Sequence, residues 1–166
     1  MNEQTCRHDV YLGLGTNLGD RQGNLHRAVE YINERIGEVI SLSSFYETKP
    51  VGFVSDNLFL NAACCVKTGL EPFDVLEESQ TIEKLMGRIN KSVDGVHFDR
   101  IIDIDLLIYD NLILQSAELI LPHPRLHERD FVLFPLSEIA GDLRHPSLKK
   151  SLKELSCELK NSNTKK

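Results

Sequence analysis

A chain of 166 residues with 41% hydrophobic composition has the size of one globular domain. At that size it buries roughly 70% of its unfolded-chain surface and needs neither disulfides nor a structural metal to hold a core. A formal charge of −6 argues against a protein that coats nucleic acid through its overall field, which requires clustered Lys and Arg. Four cysteines, Cys6, Cys64, Cys65 and Cys157, show no CxxC spacing and read as small buried side chains in a reducing compartment. Residues 1–9 carry no apolar stretch of the signal-peptide kind, and no run approaches membrane-spanning length. The expectation is a cytoplasmic monomer acting on small molecules, with no nucleic-acid or membrane partner.

Val10, Leu12 and Leu14 alternate with Tyr11, Gly13 and Gly15, the period of two that marks a strand. Asp20 offers a helix N-cap, and Leu25, Ala28, Val29, Ile32 and Ile36 form an apolar stripe closed by Gly37. The glycines between them are spaced GxGxxxG over residues 13–19, unlike the GxGxxG dinucleotide fingerprint, and read as a tight structural turn. No GxxxxGK[ST] occurs, so an ATP site here is not a P-loop. Extended segments are predicted over 38–48 and 57–68, on either side of a loop with Pro50 and Gly52. Pro72 starts a second helix with Val75, Ser79, Ile82 and Met86 on one face, ending at Gly87. Residues 88–100 read as a mobile loop.

Residues 101–109 are a strongly β-branched strand, and Asp110-Asn111 is a hairpin turn leading into 112–114. Pro122 and Pro124 bracket His123 in a loop before a helix over 131–140. A last helix is expected from about Ser147, with Leu148, Leu152, Leu155 and Leu159 as its buried stripe. This places a flexible extension at 1–8, one domain over 9–159 and a frayed tail over 160–166. The order β-α-β-β-α-β, with extra elements at the end, predicts a ferredoxin-like α+β fold. Its sheet is mostly antiparallel, with helices packed on it in αβα layers.

The strand over 101–109 is the most informative segment. Strand alternation puts Ile102, Ile104, Leu106 and Ile108 on one face and Asp103 with Asp105 on the other. Their Cα atoms are about 6.6 Å apart, close enough for two carboxylates to converge on a pair of divalent ions. Hard oxygen ligands select magnesium, which relies on one or two carboxylates plus substrate phosphates. The plainer reading is a solvated strand face, but strand interiors disfavour Asp, and like charges side by side repel unless something offsets them. Arg100 supplies that offset or holds a phosphate.

Phe59 and Asn61 share a strand face, and an aromatic ring beside an amide suits a flat heterocycle as well as it suits ordinary packing. Gln80 and Glu83, at i and i+3, face one way on the second helix, where a solvated face is the simpler account. Three classes remain open on these residues alone. One is an ATP-dependent transferase, another a two-metal nucleotidyl transferase or nuclease, and the third a ferredoxin-like ligand-binding module without turnover.

Taken together, Gly13-Leu14-Gly15-Thr16-Asn17-Leu18-Gly19, Ser44-Phe45-Tyr46-Glu47-Thr48, Phe59-Leu60-Asn61-Ala62-Ala63, residues 100–107, Pro122-His123 and Arg129-Asp130-Phe131 resemble the hydroxymethyldihydropterin pyrophosphokinase family over residues 9–158. The resemblance implies a ferredoxin-like domain that binds MgATP and a pterin alcohol in adjacent halves of one cleft and releases AMP. It implies two magnesium ions on Asp103 and Asp105, with Arg88, Arg100 and Asp105 as catalytic residues. Gln80, Glu83, Lys91, Arg100, His123 and Arg129 would line the ATP side. Thr48, Val51, Phe59, Asn61 and Phe131 would form the pterin pocket. The chain departs from the family pattern with Phe98-Asp99 in place of a Gly-Pro-type pair, with Asn90 where a second arginine is common, and in having no tryptophan.

Overall fold

Within residues 8–16 the side chains of Val10, Leu12 and Leu14 are buried on one face, and antiparallel partners on both sides make this stretch a central strand. A computed structural model of the chain describes residues 7–49, 57–87 and 101–164. In chain order these form β1 (His8–Thr16), α1 (Arg21–Arg35), β2 (Glu38–Leu42), β3 (Tyr46–Thr48), β4 (Phe59–Thr68), α2 (Pro72–Leu85), β5 (Asp103–Tyr109), β6 (Leu114–Gln115), β7 (Ile120–Leu121), α3 (Asp130–Ala140) and α4 (Leu152–Thr164). The main sheet has the order β2-β4-β1-β5, with β3 also pairing with β4. Every pairing in it is antiparallel. This is the ferredoxin-like arrangement expected, because each of the two helices crosses between strands that are not neighbours in the sheet.

Local signals position both crossover helices. The Asp20 carboxylate accepts the Gly23 N–H at 3.1 Å and starts α1. At its end, Gly37 passes so close to β4 that a Cβ there would lie 2.1 Å from the Lys67 carbonyl oxygen, so only glycine fits. Pro72 opens α2, and Gly87 leaves it at φ +101°.

Two apolar clusters lie on opposite faces of the sheet. Leu12, Leu14, Ile102, Ile104 and Leu106 pack with Leu25 and Ile32 of α1 and with Val75 and Ile82 of α2. Ala63, Leu107 and Ile108 pack with Leu133 and Leu136 of α3 and with Leu152 and Leu155 of α4. The result is an αβα sandwich.

Several details differ from the sequence pattern. Ile108 belongs to the α3/α4 cluster and not with Ile102, Ile104 and Leu106. The register slips between Tyr11 and Leu12, which pair with Ile108 and Leu106, and the extra residue re-aims the side chains that follow. A turn forms after Tyr109, with Asp110 at φ 49°, but the chain does not fold back on β5; β6 pairs with β7 instead. The last helix begins at Leu152, because Pro146 precedes it and Lys149 sits at φ 62°. Leu148 is therefore 41% exposed, while Leu152 is fully buried. That helix continues through Lys160 to Thr164. Cys64 and Cys65 are buried free thiols as expected, but Cys157 is exposed; Cys6 lies outside the described residues. No helix among the described residues is long and apolar enough to cross a membrane.

Candidate active site

On the face of the sheet that carries α3 and α4, β1 presents two glycines. Gly15 pairs with Asn61 of β4 on one side and with Asp103 of β5 on the other; Gly13 pairs with Ala63 and with Asp105. Residues directly opposite in an antiparallel ladder project to the same face, so Asn61, Gly15 and Asp103 form one row across three strands. The tight-turn reading of these glycines is corrected here. Gly13 and Gly15 lie inside β1, and Gly19, at φ +69°, does the turning. A Cβ on Gly15 would stand 3.0 Å from Asn61 Oδ1 and 3.7 Å from the Phe59 ring. Glycine keeps a flat floor between the amide and the carboxylates.

At the acidic end, Asp103 and Asp105 are half-buried on β5, an edge strand. The N–H of Ile104, between them, points away from β1 and donates to Glu83 Oε2 at 2.7 Å. Glu83 is 8% exposed, which overturns its reading as part of a solvated face; Gln80, three residues earlier, is exposed. By satisfying an edge N–H, Glu83 pins the backbone that spaces the two aspartates. No local signal in the helix marks this role, since i, i+3 polar spacing is ordinary on a solvated helix.

The loop carrying His123 closes over the same end. Its N–H donates to the Leu107 carbonyl at 2.8 Å, and its Nδ1 accepts the Arg125 N–H at 3.2 Å. Burial first, and then the Arg129 guanidinium, hold the His123 pKa below its ordinary value, although the Asp103 carboxylate pulls it upward. His123, Arg129 and Asp103 thus share one electrostatic environment. Arg129 also lies 5.7 Å from the centroid of the Phe131 ring at the start of α3.

At the other end of the row Asn61 is 4% exposed. Its Nδ2 donates to Thr48 Oγ1 at 2.7 Å and to the Tyr46 carbonyl at 3.3 Å, which orients its oxygen toward Gly15. Phe59 lies two residues along on the same face of β4. An Arg21–Glu47 ion pair of 2.8 Å ties the start of α1 to β3. It borders a surface cavity of about 320 Å³ formed with Asn17, Gly19 and Asn57. Tyr46 and Glu47 lie in one of the motifs quoted above, but neither they nor Arg21 were expected as site residues, because what links them is pairing between distant segments.

Asp103, Asp105, His123 and Arg129 therefore meet at one end of the row, with Thr48, Phe59 and Asn61 at the other. Arg88, Lys91, Arg100 and Val51 lie outside the described residues. Among the described residues no group of three His, Cys, Asp or Glu could hold a metal ion. Two carboxylates alone would suit a hard divalent cation such as magnesium only where substrate phosphates complete its oxygen shell.

Fold and site together define a ferredoxin-like domain with a carboxylate pair and an amide on one face of its sheet, on either side of a glycine floor. The model of the family 7,8-dihydro-6-hydroxymethylpterin-pyrophosphokinase (HPPK) matches residues 11–141. A 2-amino-4-hydroxy-6-hydroxymethyldihydropteridine pyrophosphokinase of Porphyromonas gingivalis is 49% identical over 138 residues, 82% of this chain and 93% of that protein. The enzyme of the same name from Bacillus subtilis is 42% identical over 131 residues, 78% of this chain and 77% of that protein. The chain belongs to the HPPK family. Among solved structures, an HPPK-DHPS in complex with substrates superimposes with a TM-score of 0.76 at 15% identity, covering 96% of this chain and 44% of that one. A Plasmodium falciparum HPPK-DHPS with pterin and p-hydroxybenzoate gives 0.77 at 19% identity, covering 99% of this chain and 45% of that one. These likenesses establish the fold.

Proposed function

We propose that this chain transfers the terminal diphosphate of ATP to the hydroxymethyl oxygen of 6-hydroxymethyl-7,8-dihydropterin, giving the pterin diphosphate and AMP in folate biosynthesis, as a cytoplasmic monomer. The observation that carries the reading is the row in which Asn61 and Asp103 both lie opposite Gly15. It supports the reading because the Asn61 amide and the Asp103–Asp105 carboxylates share one glycine floor.

Asn61 pairs with the edge of the pterin, while Phe59 and Phe131 pack around its ring and Thr48 and Val51 close the pocket. Asp103 and Asp105 would hold two magnesium ions, which would supply charge neutralisation on the phosphates. Gln80, Lys91, His123 and Arg129 line the ATP side, and Glu83 contributes through the β5 backbone it holds. Arg88 and Arg100 neutralise the charge that builds on the transferring group. The pterin oxygen then bonds to the β-phosphorus, the bond from that phosphorus to the α,β-bridging oxygen breaks, and the hydroxyl proton leaves to solvent. The protein contributes position and charge, not a covalent intermediate.

Incubation with MgATP labelled at the γ-phosphorus and the pterin alcohol tests this reading. Label is expected on the pterin as a diphosphate, in step with AMP and abolished by chelation of magnesium. Stoichiometric ADP with a pterin monophosphate would refute it.

A further inference from the structure

Near the end of α3, outside the row described above, one carboxylate makes three hydrogen bonds to the chain that leads into β3. Glu138 Oε2 accepts the Ser44 N–H at 2.8 Å and the Ser44 hydroxyl at 3.1 Å, while Oε1 accepts the Tyr46 hydroxyl at 2.5 Å. The three donors converge from a three-residue strand and the irregular chain just before it. Both partners respond to the contact. The Tyr46 hydroxyl holds the Glu138 pKa below its ordinary value, with the Ser44 N–H and hydroxyl adding to the effect and burial opposing it. Tyr46 is pushed up to about 12, by burial first and then by the carboxylate.

β3 needs such an anchor. Three residues paired with β4 alone make a strand of little intrinsic stability. Yet this strand supplies both groups that orient Asn61, the Tyr46 carbonyl and the Thr48 hydroxyl. A shift of β3 away from β4 would release the Asn61 amide to rotate. The helix that carries Glu138 also carries Phe131 in its first turn, so one rigid element sets both the aromatic wall and the strand behind the amide.

We propose that Glu138 is a positioning residue for the heterocycle half of the site, acting as a clasp that holds β3 in place and thereby fixes the orientation of Asn61. The assignment rests on the reading of the Asn61 end as the pterin pocket. Because Glu138 is exposed, its removal acts on the local geometry far more than on global stability.

The test measures binding of the pterin alcohol and of a non-hydrolysable ATP analogue separately, by calorimetry, for wild type, Glu138→Ala, Glu138→Gln and Tyr46→Phe. Hydrogen exchange of the Tyr46–Thr48 amides is followed in each. Glu138→Ala is expected to weaken pterin binding about tenfold, the scale of one misplaced hydrogen bond in a closed pocket. ATP-analogue binding should be unchanged and exchange across β3 faster. Glu138→Gln should recover most of the affinity, since its carboxamide oxygen still accepts from Ser44, and Tyr46→Phe should lose part of it. If the alanine variant does not fold, the glutamine and phenylalanine variants carry the same comparison. Unchanged pterin affinity in folded variants would overturn the clasp, as would equal losses for both ligands. A wild-type chain that bound no pterin would overturn the functional reading itself, and this assignment with it.

Discussion

At Asp103 and Asp105, charge and stability pull in opposite directions. Two carboxylates on one face of a strand repel, a cost that the proposed magnesium ions would offset. Replacing either with alanine should lower turnover by roughly 10³–10⁵, the scale of losing a charge-stabilising group in phosphoryl transfer. Both variants should remain folded. Steady-state rates beside thermal melts of Asp103→Ala and Asp105→Ala check this, and near-normal turnover in a folded variant would remove the metal assignment. The shared face of this pair was legible in the sequence because period-two alternation holds from Asp103 to Leu106, ahead of the register slip. Glu83 was not, since its role depends on an edge N–H of Ile104 that becomes its neighbour only when α2 docks against β5. The glycines at 13 and 15 were visible but misread, because glycine after a strand and before a helix suggests a turn more readily than a floor.

At the scale of elements, the crossover helices were legible at both ends, since Asp20, Pro72 and Gly87 act through local backbone chemistry. The start of α4 was not. Leu148 continues a regular stripe in the sequence, but Pro146 and the positive φ at Lys149 delay the helix to Leu152. The two leucines therefore separate the accounts. Leu152→Ala should cost about 2–5 kcal/mol, as expected for a truncated, fully buried leucine. Leu148→Ala should cost only a few tenths of a kcal/mol, as exposed substitutions do. Denaturant titrations of both variants measure the difference, and equal losses would restore a helix beginning at Ser147. The slip that turns Ile108 to the α3/α4 face was equally hidden, because a bulge depends on the partner strand and leaves no mark in the alternation.

For the molecule as a whole, acid sensitivity follows from histidines held neutral. His145 is 4% exposed, and its Nδ1 accepts the Ser147 and Leu148 N–H groups at 3.1 and 3.0 Å. Burial, and then His127, lower its pKa from 6.5. The unfolded chain therefore binds this proton at a higher pH than the folded one. Stability rises with pH between the two values, and is lost as pH falls below 6.5 toward the folded pKa. Thermal melts from pH 8 to 5 should show that loss, and His145→Gln should flatten it. The row across the sheet has a different consequence. Asn61 and Asp103 flank the same residue of β1, so their backbones stand two strand spacings apart, about 9.5 Å. Hydrogen-bonded strands do not stretch, so with the pterin seated as proposed the sheet would gauge the length of its acceptor from recognised edge to reacting oxygen. A pterin carrying hydroxyethyl in place of hydroxymethyl would keep its ring contacts and overshoot by one carbon. It should bind nearly as well yet turn over about 10²-fold more slowly, the usual result of misplacing a reacting atom by about 1 Å.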